Sequence, residues 1–176
     1  MRAMAKVKLP LTIDPIKSAN KRSTYVGVYS SSSLLRLLDA VEDCEPLIDV
    51  EVKFAKDAQG LTYFQGSAAT QVQLLCQRCN HAFPHSIQLE FCYSPVQGQD
   101  EEDVLPDVYE PVEVNDHGEV DLLQIIEDEL ILTLPIVPLH AEEECKVSKD
   151  DMTFGVIEPE QERKNPFAVL KELKRD

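Results

Sequence analysis

Positive charge is missing from a long part of the chain: from Cys79 to Cys145 there is no lysine and no arginine. This acidic segment holds 17 of the 32 acidic residues and leaves 15 acidic against 17 basic residues elsewhere, so all the excess negative charge lies in it. Such a field repels nucleic-acid phosphates and attracts basic proteins, although a loop that only keeps the chain soluble is an alternative. If the segment is a docking surface, its candidate contacts are Asp100, Glu101, Glu102, Asp103, Glu110, Glu113 and Glu119.

Long apolar runs are also missing. A bilayer-spanning helix needs about 20 apolar residues, and the longest apolar-rich stretch, residues 125–139, is interrupted by three acidic residues and two prolines. The basic residues near the start are not followed by an apolar segment, which disfavours a secretory signal. We therefore expect a cytoplasmic protein with no membrane association. The apolar fraction of 43% is sufficient for a packed core.

Strands are predicted, in chain order, at 7–13, at 24–29, at 48–54, in the two runs 61–64 and 68–75, and at 83–93. Alternation of apolar and polar residues indicates them, except at 24–29, where β-branched and aromatic residues do. Gly66 is predicted to mark a β-bulge between the two runs. Residues 77–80 are predicted to turn the chain into the last strand. A short strand is expected at 112–114. This order favours an antiparallel β meander.

Helix signals flank the strands. Asp14 and Asp121 are predicted N-caps, the second of a helix to about residue 133 with a buried stripe of Leu122, Ile125, Ile126 and Leu130. In that helix Glu127 and Asp128 are assigned to the solvent face. Serines 30–33 are expected to cap a helix through residue 41, and residues 166–173 to form a short amphipathic one.

These elements predict an α+β fold in which the antiparallel meander packs with two or three helices. Residues 96–107 are rich in acids and are read as a long acidic loop. The predicted organisation is a single α+β domain over residues 1–145. Residues 146–176 form an extended C-terminal tail that contains the short helix.

The cysteine pattern predicts a metal site. Five cysteines are an odd number, and in the cytoplasm they are thiols or metal ligands rather than a disulfide framework. Cys76 and Cys79 form a CxxC on the predicted β-turn, which points two sulfurs at one centre. His140 and Cys145, spaced H-x4-C beyond the long helix, supply the other half of a tetrahedral zinc site.

Three alternatives remain open for this motif. His81 and His85 are other nitrogen donors near the same turn. Cys76 and Cys79 alone are also compatible with reduced structural thiols that close a hairpin. A redox dithiol is disfavoured, because thioredoxin-like motifs begin a helix and β-like residues flank this one on both sides.

The sequence offers little for catalysis. It has no glycine-rich phosphate loop, no GxSxG and no HExxH. Residues 127–129 are three adjacent acids on one helix, so their side chains diverge rather than pair. We therefore predict a protein that is not an enzyme and has no small-molecule substrate.

Seven segments together resemble the bacterial YceD family. They are KVKLPLTIDP at 6–15, CQRC at 76–79, YEPVEVN at 109–115, GEVDLL at 118–123, EDELIL at 127–132, LPIVPLH at 134–140 and NPFAVL at 165–170. The resemblance covers nearly the whole chain. It implies a role in the synthesis, processing or stability of large-subunit (23S) ribosomal RNA, and it implies no known catalytic residue.

The leading functional hypothesis is a non-catalytic accessory factor in ribosome biogenesis. Its acidic surface would bind a basic ribosomal protein or assembly factor, with any rRNA contact indirect. The alternative is a direct rRNA-binding module that uses basic residues outside the acidic segment, such as Lys21, Arg22, Arg78 and Lys174.

Overall fold

A six-stranded sheet is the centre of the protein in a computed structural model that describes residues 7–98, 105–148, 151 and 155. The strands are β1 (Thr12–Ile13), β2 (Thr24–Ser30), β3 (Asp43–Cys44), β4 (Leu47–Lys56), β5 (Thr62–Leu75), β6 (Ala82–Val96), β7 (Glu110–Glu113) and β8 (Val120–Asp121). The helices are α1 (Pro15–Asn20), α2 (Leu35–Ala40) and α3 (Leu122–Thr133), with 3₁₀ turns at Ser31–Ser33 and Glu142–Glu144.

The main path of the sheet runs β2-β4-β5-β6-β7, and β3 pairs with β5 beside it. β4, β5 and β6 form an antiparallel meander with β2 antiparallel on its outer edge, whereas β7 lies parallel to β6. β1 and β8 make a separate two-stranded antiparallel pair. The predicted α+β class with an antiparallel meander is confirmed.

One face of the sheet is buried under the helices. The period of two along β4 buries Ile48, Val50, Val52 and Phe54, and the facing positions of β5 and β6 join them. The rings of Phe54 and Phe64 stack with centroids 5.1 Å apart. The predicted stripe of α3 is buried against this core, and Asp121 caps the helix by accepting from the amide of Gln124 at 2.9 Å. The opposite face of the sheet faces solvent.

Two local predictions at the N-terminal end have mixed outcomes. Asp14 caps α1 as predicted, through a hydrogen bond from the amide of Lys17 at 2.8 Å. The strand predicted at residues 7–13 is reduced to β1 and a single bridge between Lys8 and Val28. The interruption falls at Pro10, whose carbonyl accepts a hydrogen bond from the hydroxyl of the buried Tyr29 at 2.5 Å.

The predicted bulge at Gly66 is wrong. β5 is continuous, and Gly66 pairs in register with Val52 on one side and Phe91 on the other. A Cβ atom at this position would lie 2.5 Å from the carbonyl oxygen of Glu51 and would clash with the ring of Phe91. Glycine is required here because the aromatic ring covers the strand, not because the strand is irregular.

The predicted solvent position of Glu127 and the serine cap of α2 are both wrong, for one reason. Glu127 is only 8% exposed, and its Oε1 accepts hydrogen bonds from the amides of Arg36 and Leu37 at 2.8 and 3.2 Å. Those amides belong to the first turn of α2 and have no acceptor within the helix itself, so Glu127 acts as the helix cap. Leu34 stands at the N-cap and has no side-chain cap bond, while the serines form a 3₁₀ turn.

Several predictions lie wholly or partly outside the described residues: the helix at 166–173, residues 99–104 of the acidic loop and most of the 146–176 tail. Within the described ranges, no helix has the length and apolarity that a membrane crossing requires.

Candidate metal centre

The CxxC motif lies on the tight turn that joins β5 to β6. The amide of Asn80 donates to the carbonyl of Cys76 at 2.8 Å, and the amide of Cys76 donates to the carbonyl of His81 at 3.0 Å. Asn80 closes the turn with a φ of +56°, in the left-handed region that asparagine tolerates better than most residues. The turn places Cys76 and Cys79 at the same end of the sheet, as predicted.

The chain after α3 returns to this turn. The amide of Gln77 donates to the carbonyl of Pro138 at 2.9 Å, and the guanidinium of Arg78 donates to the carbonyl of His140 at 3.2 Å. The His140 ring also packs against Phe83 on β6, with ring centroids 4.8 Å apart. These protein contacts hold the returning segment on the hairpin.

All four predicted donors meet at this point. The ligand atoms of Cys76, Cys79, His140 and Cys145 lie within 4.8 Å of one another. The Cys79 Sγ and the His140 Nδ1 are 3.3 Å apart. Around tetrahedral zinc, bonds of about 2.3 Å to sulfur and about 2.05 Å to nitrogen separate the ligand atoms by about 3.6–3.8 Å. The cluster can hold a metal ion after shifts of about 1 Å or less.

Local electrostatics prepare one sulfur for this role. Burial by itself raises the pKa of the Cys76 thiol, but hydrogen bonds from the backbone amides of His140, Cys79 and Arg78 outweigh it and lower the pKa to about 5. For Cys145 the Val147 amide lowers the pKa, yet burial and the neighbouring sulfurs raise it overall. A thiolate is the form that binds metal, so the lowered pKa of Cys76 suits it to the role of a metal ligand.

The alternative nitrogen donors are placed elsewhere. His81 donates from Nδ1 to the carbonyl of Cys79 at 2.7 Å and accepts at Nε2 from the Lys146 ammonium at 2.9 Å, so both its ring nitrogens are engaged. It braces the turn from outside the cluster. His85 lies within β6 and is not one of the clustered donors. The CxxC lies on the hairpin between β5 and β6 and not at the start of a helix, which disfavours a redox dithiol.

The predicted acidic contacts are only partly described. Asp100, Glu101, Glu102 and Asp103 lie outside the described residues. Glu110 and Glu113 are exposed on β7, and Glu119 is half-buried before β8. In the same segment Glu127 and Asp128 bind the guanidinium of Arg36, with closest nitrogen–oxygen distances of 3.0 and 2.6 Å. Those two carboxylates contribute less to an exposed acidic surface than the sequence indicated.

Sequence reasoning missed three further carboxylates, which lie on the open face of the sheet. They are Asp49 and Glu51 on β4 and Glu90 on β6. The signal was present, because each alternates with buried residues of its own strand. Only the strand pairing shows that β5 brings them to the two sides of one surface.

The basic residues proposed for direct RNA contact do not form one surface in the described part of the chain. Lys21 and Arg22 are exposed between α1 and the start of β2. Arg78 lies on the β5–β6 turn, at the other end of the strands, and donates to the His140 carbonyl. Lys174 lies outside the described residues.

Comparison with known proteins agrees with the family resemblance seen in the sequence. The family described as "Large ribosomal RNA subunit accumulation protein YceD" matches residues 64–174, a range that contains all four clustered donors. A curated protein of Haemophilus influenzae strain Rd that carries the same description is 47% identical over 173 residues. The alignment covers 98% of this chain and 99% of that protein. No solved structure gives a significant match.

Proposed function

Because the chain belongs to the YceD family, we propose that it supports the accumulation of large-subunit ribosomal RNA as a non-catalytic accessory factor in ribosome biogenesis. The observation that carries the proposal is the 47% identity, over almost the full length of both chains, to a protein named for the accumulation of the large ribosomal RNA subunit. Accumulation covers synthesis, processing and stability, and an accessory factor acts on any of them by binding.

Loss of this chain from its host is expected to lower the ratio of 23S to 16S ribosomal RNA, because only the large subunit depends on the factor. Re-expression of the wild-type chain should restore the ratio. Total RNA separated by electrophoresis measures it directly. An unchanged ratio in cells shown to lack the chain contradicts the proposed function.

The four-donor cluster is proposed to bind one zinc ion in a structural role. Three thiolates and one imidazole are a ligand set that zinc prefers. Four protein ligands fill a tetrahedral site and leave no open position for a water or a substrate, which is the arrangement of structural rather than catalytic zinc. The ion would fix the segment after α3 onto the β5–β6 turn, where Gln77 and Arg78 already hold it.

The acidic segment is proposed to bind the partner, a basic ribosomal protein or assembly factor. Support comes from the absence of lysine and arginine between Cys79 and Cys145 and from the exposure of Glu110 and Glu113 on β7. Opposite charges accelerate encounter and select partners, while phosphate backbones are repelled.

Capture of a basic protein partner should therefore depend on salt. We expect retention at about 0.1 M salt and loss near 1 M, since the Debye length falls from about 10 Å to about 3 Å. The triple variant Glu101→Gln, Glu102→Gln, Asp103→Asn should weaken capture at low salt. A matched control neutralises three exposed acids outside the acidic segment: Asp39→Asn, Glu42→Gln, Glu45→Gln. An equal loss of partner capture in both variants would show that capture depends on the total charge of the chain and not on the acidic segment.

A further inference from the structure

A groove of about 770 Å³ runs across the open face of the sheet, opposite the helices. It crosses four strands. Val26 of β2 lies at one side and Glu90 of β6 at the other, with Glu51, Ser67 and Ala69 between them. Val7 lines the groove from the segment that bridges to the outer edge of β2.

The groove is not typical of a sheet face that only meets water. Such a face usually carries polar side chains. Here Val7 and Val26 are 60% and 57% exposed, and the central strand contributes the small side chains of Ser67 and Ala69. The result is a concave surface with an apolar floor, at a place where the helices do not cover the sheet.

The walls of the groove are negative. Asp49, Glu51 and Glu90 line it, and an adjoining cavity of about 440 Å³ shares Glu51 and Glu90 and adds Asp107 and Glu110. Among the residues described as lining the two cavities, Lys53 alone is cationic, and its ammonium pairs with Glu51 at 2.6 Å. Phosphate backbones are repelled from such a surface.

We propose that this groove is the docking site for a lysine- and arginine-rich segment of a partner protein. Lysine and arginine place an aliphatic stem on apolar surface while the charged head reaches a polar group. The apolar floor around Val26 and Ala69 fits the stems, and the carboxylates of Glu51 and Glu90, which flank Ser67 on either side, fit the heads. The inference rests on the proposed binding of a basic partner and locates it on the sheet rather than on residues 100–103.

The test uses the full-length chain and a short fluorescein-labelled peptide in which lysine alternates with alanine. Ser67→Tyr fills the groove from an exposed position whose side chain does not enter the core. Gln71→Tyr is the matched control, since Gln71 is exposed two pleats further along the same face of β5 and does not line the groove. Fluorescence anisotropy measures the Kd, and thermal unfolding confirms that both variants fold.

We expect Ser67→Tyr to raise the Kd by roughly tenfold or more, as blocking a central contact does, and Gln71→Tyr to leave it unchanged. Glu51→Gln combined with Glu90→Gln should weaken binding and reduce its salt dependence, whereas Asp39→Asn with Glu42→Gln should not. A peptide with glutamate in place of lysine should not bind.

Unchanged affinity in Ser67→Tyr overturns the groove as the site. If the variant Glu101→Gln, Glu102→Gln, Asp103→Asn abolishes peptide binding and the groove variants do not, the proposed function survives and this inference fails. Sedimentation supplies a further check: conversion of a dimer to a monomer by Ser67→Tyr would make a second copy of the chain the occupant and also overturn the proposal. An unchanged 23S to 16S ratio is the separate result that removes the proposed function.

Discussion

Substituting Cys76→Ser is expected to abolish zinc binding and to lower the free energy of unfolding by about 3–4 kcal/mol. That is the contribution of a ligand present at roughly 100–1,000 times its Kd when it binds only the folded state. Cys76 is the most buried of the four donors, and backbone hydrogen bonds lower its pKa to about 5. Its loss leaves only three ligands. The sheet has its own apolar core, so the variant should still fold.

Two measurements check this result. Metal analysis of protein purified without chelator should find one equivalent of zinc in the wild type and in Cys92→Ser, a half-buried cysteine on β6 outside the cluster. Urea unfolding with a chelator should shift the wild type to the Cys76→Ser curve and leave that variant unmoved. Less than about a tenth of an equivalent of zinc, together with unfolding that ignores the chelator, would remove the metal from the account.

Substituting Glu127→Ala is expected to cost about 2–4 kcal/mol of stability. The carboxylate accepts from the amides of Arg36 and Leu37 and from the Arg36 guanidinium, whose Nε lies 3.0 Å away. Removing it leaves the buried amide of Leu37 without its partner, which costs about 1–3 kcal/mol. The amide of Arg36 also loses its partner, but that bond is only part-buried and adds about 1 kcal/mol. The guanidinium adds little, because the Arg36 side chain is 52% exposed and stays solvated.

Asp128→Ala is the matched control for that substitution. Asp128 binds the same guanidinium at 2.6 Å, but its side chain is 41% exposed and caps no amide. Exposed ion pairs contribute about 0–1 kcal/mol. Urea unfolding should therefore separate the two variants clearly. An equal loss of stability in both would show that the ion pair matters and the helix cap does not.

The local signals in the sequence were sufficient for much of the fold. The N-cap and buried stripe predicted α3, and alternation predicted β4 and β6. Glu127 was misassigned although a signal existed: it lies three residues before Leu130, so it borders the buried stripe. Its partners, however, are about 90 residues away in sequence. The covering of Gly66 by Phe91 likewise depends on the β5–β6 register, which local patterns do not define.

The candidate metal site was predictable because cysteine and histidine are the residue types that bind zinc, and both can be recognised in the sequence. The cysteine pair on the turn, together with His140 and Cys145, indicates a zinc ligand set even though about 60 residues separate the two halves. The two halves are joined by the hydrogen bonds of Gln77 and Arg78 to the segment at Pro138 and His140, which no sequence motif indicates. The groove was not predictable, since alternation shows which side chains face outward but not that the surface they form is concave.

The most direct test of the account is affinity capture of the chain at its native expression level, repeated after RNase digestion. Binding to a basic protein predicts that a lysine- and arginine-rich ribosomal protein or assembly factor remains bound after digestion and leaves at high salt. Recovery of ribosomal RNA as the primary partner, with every protein lost after digestion, would contradict it.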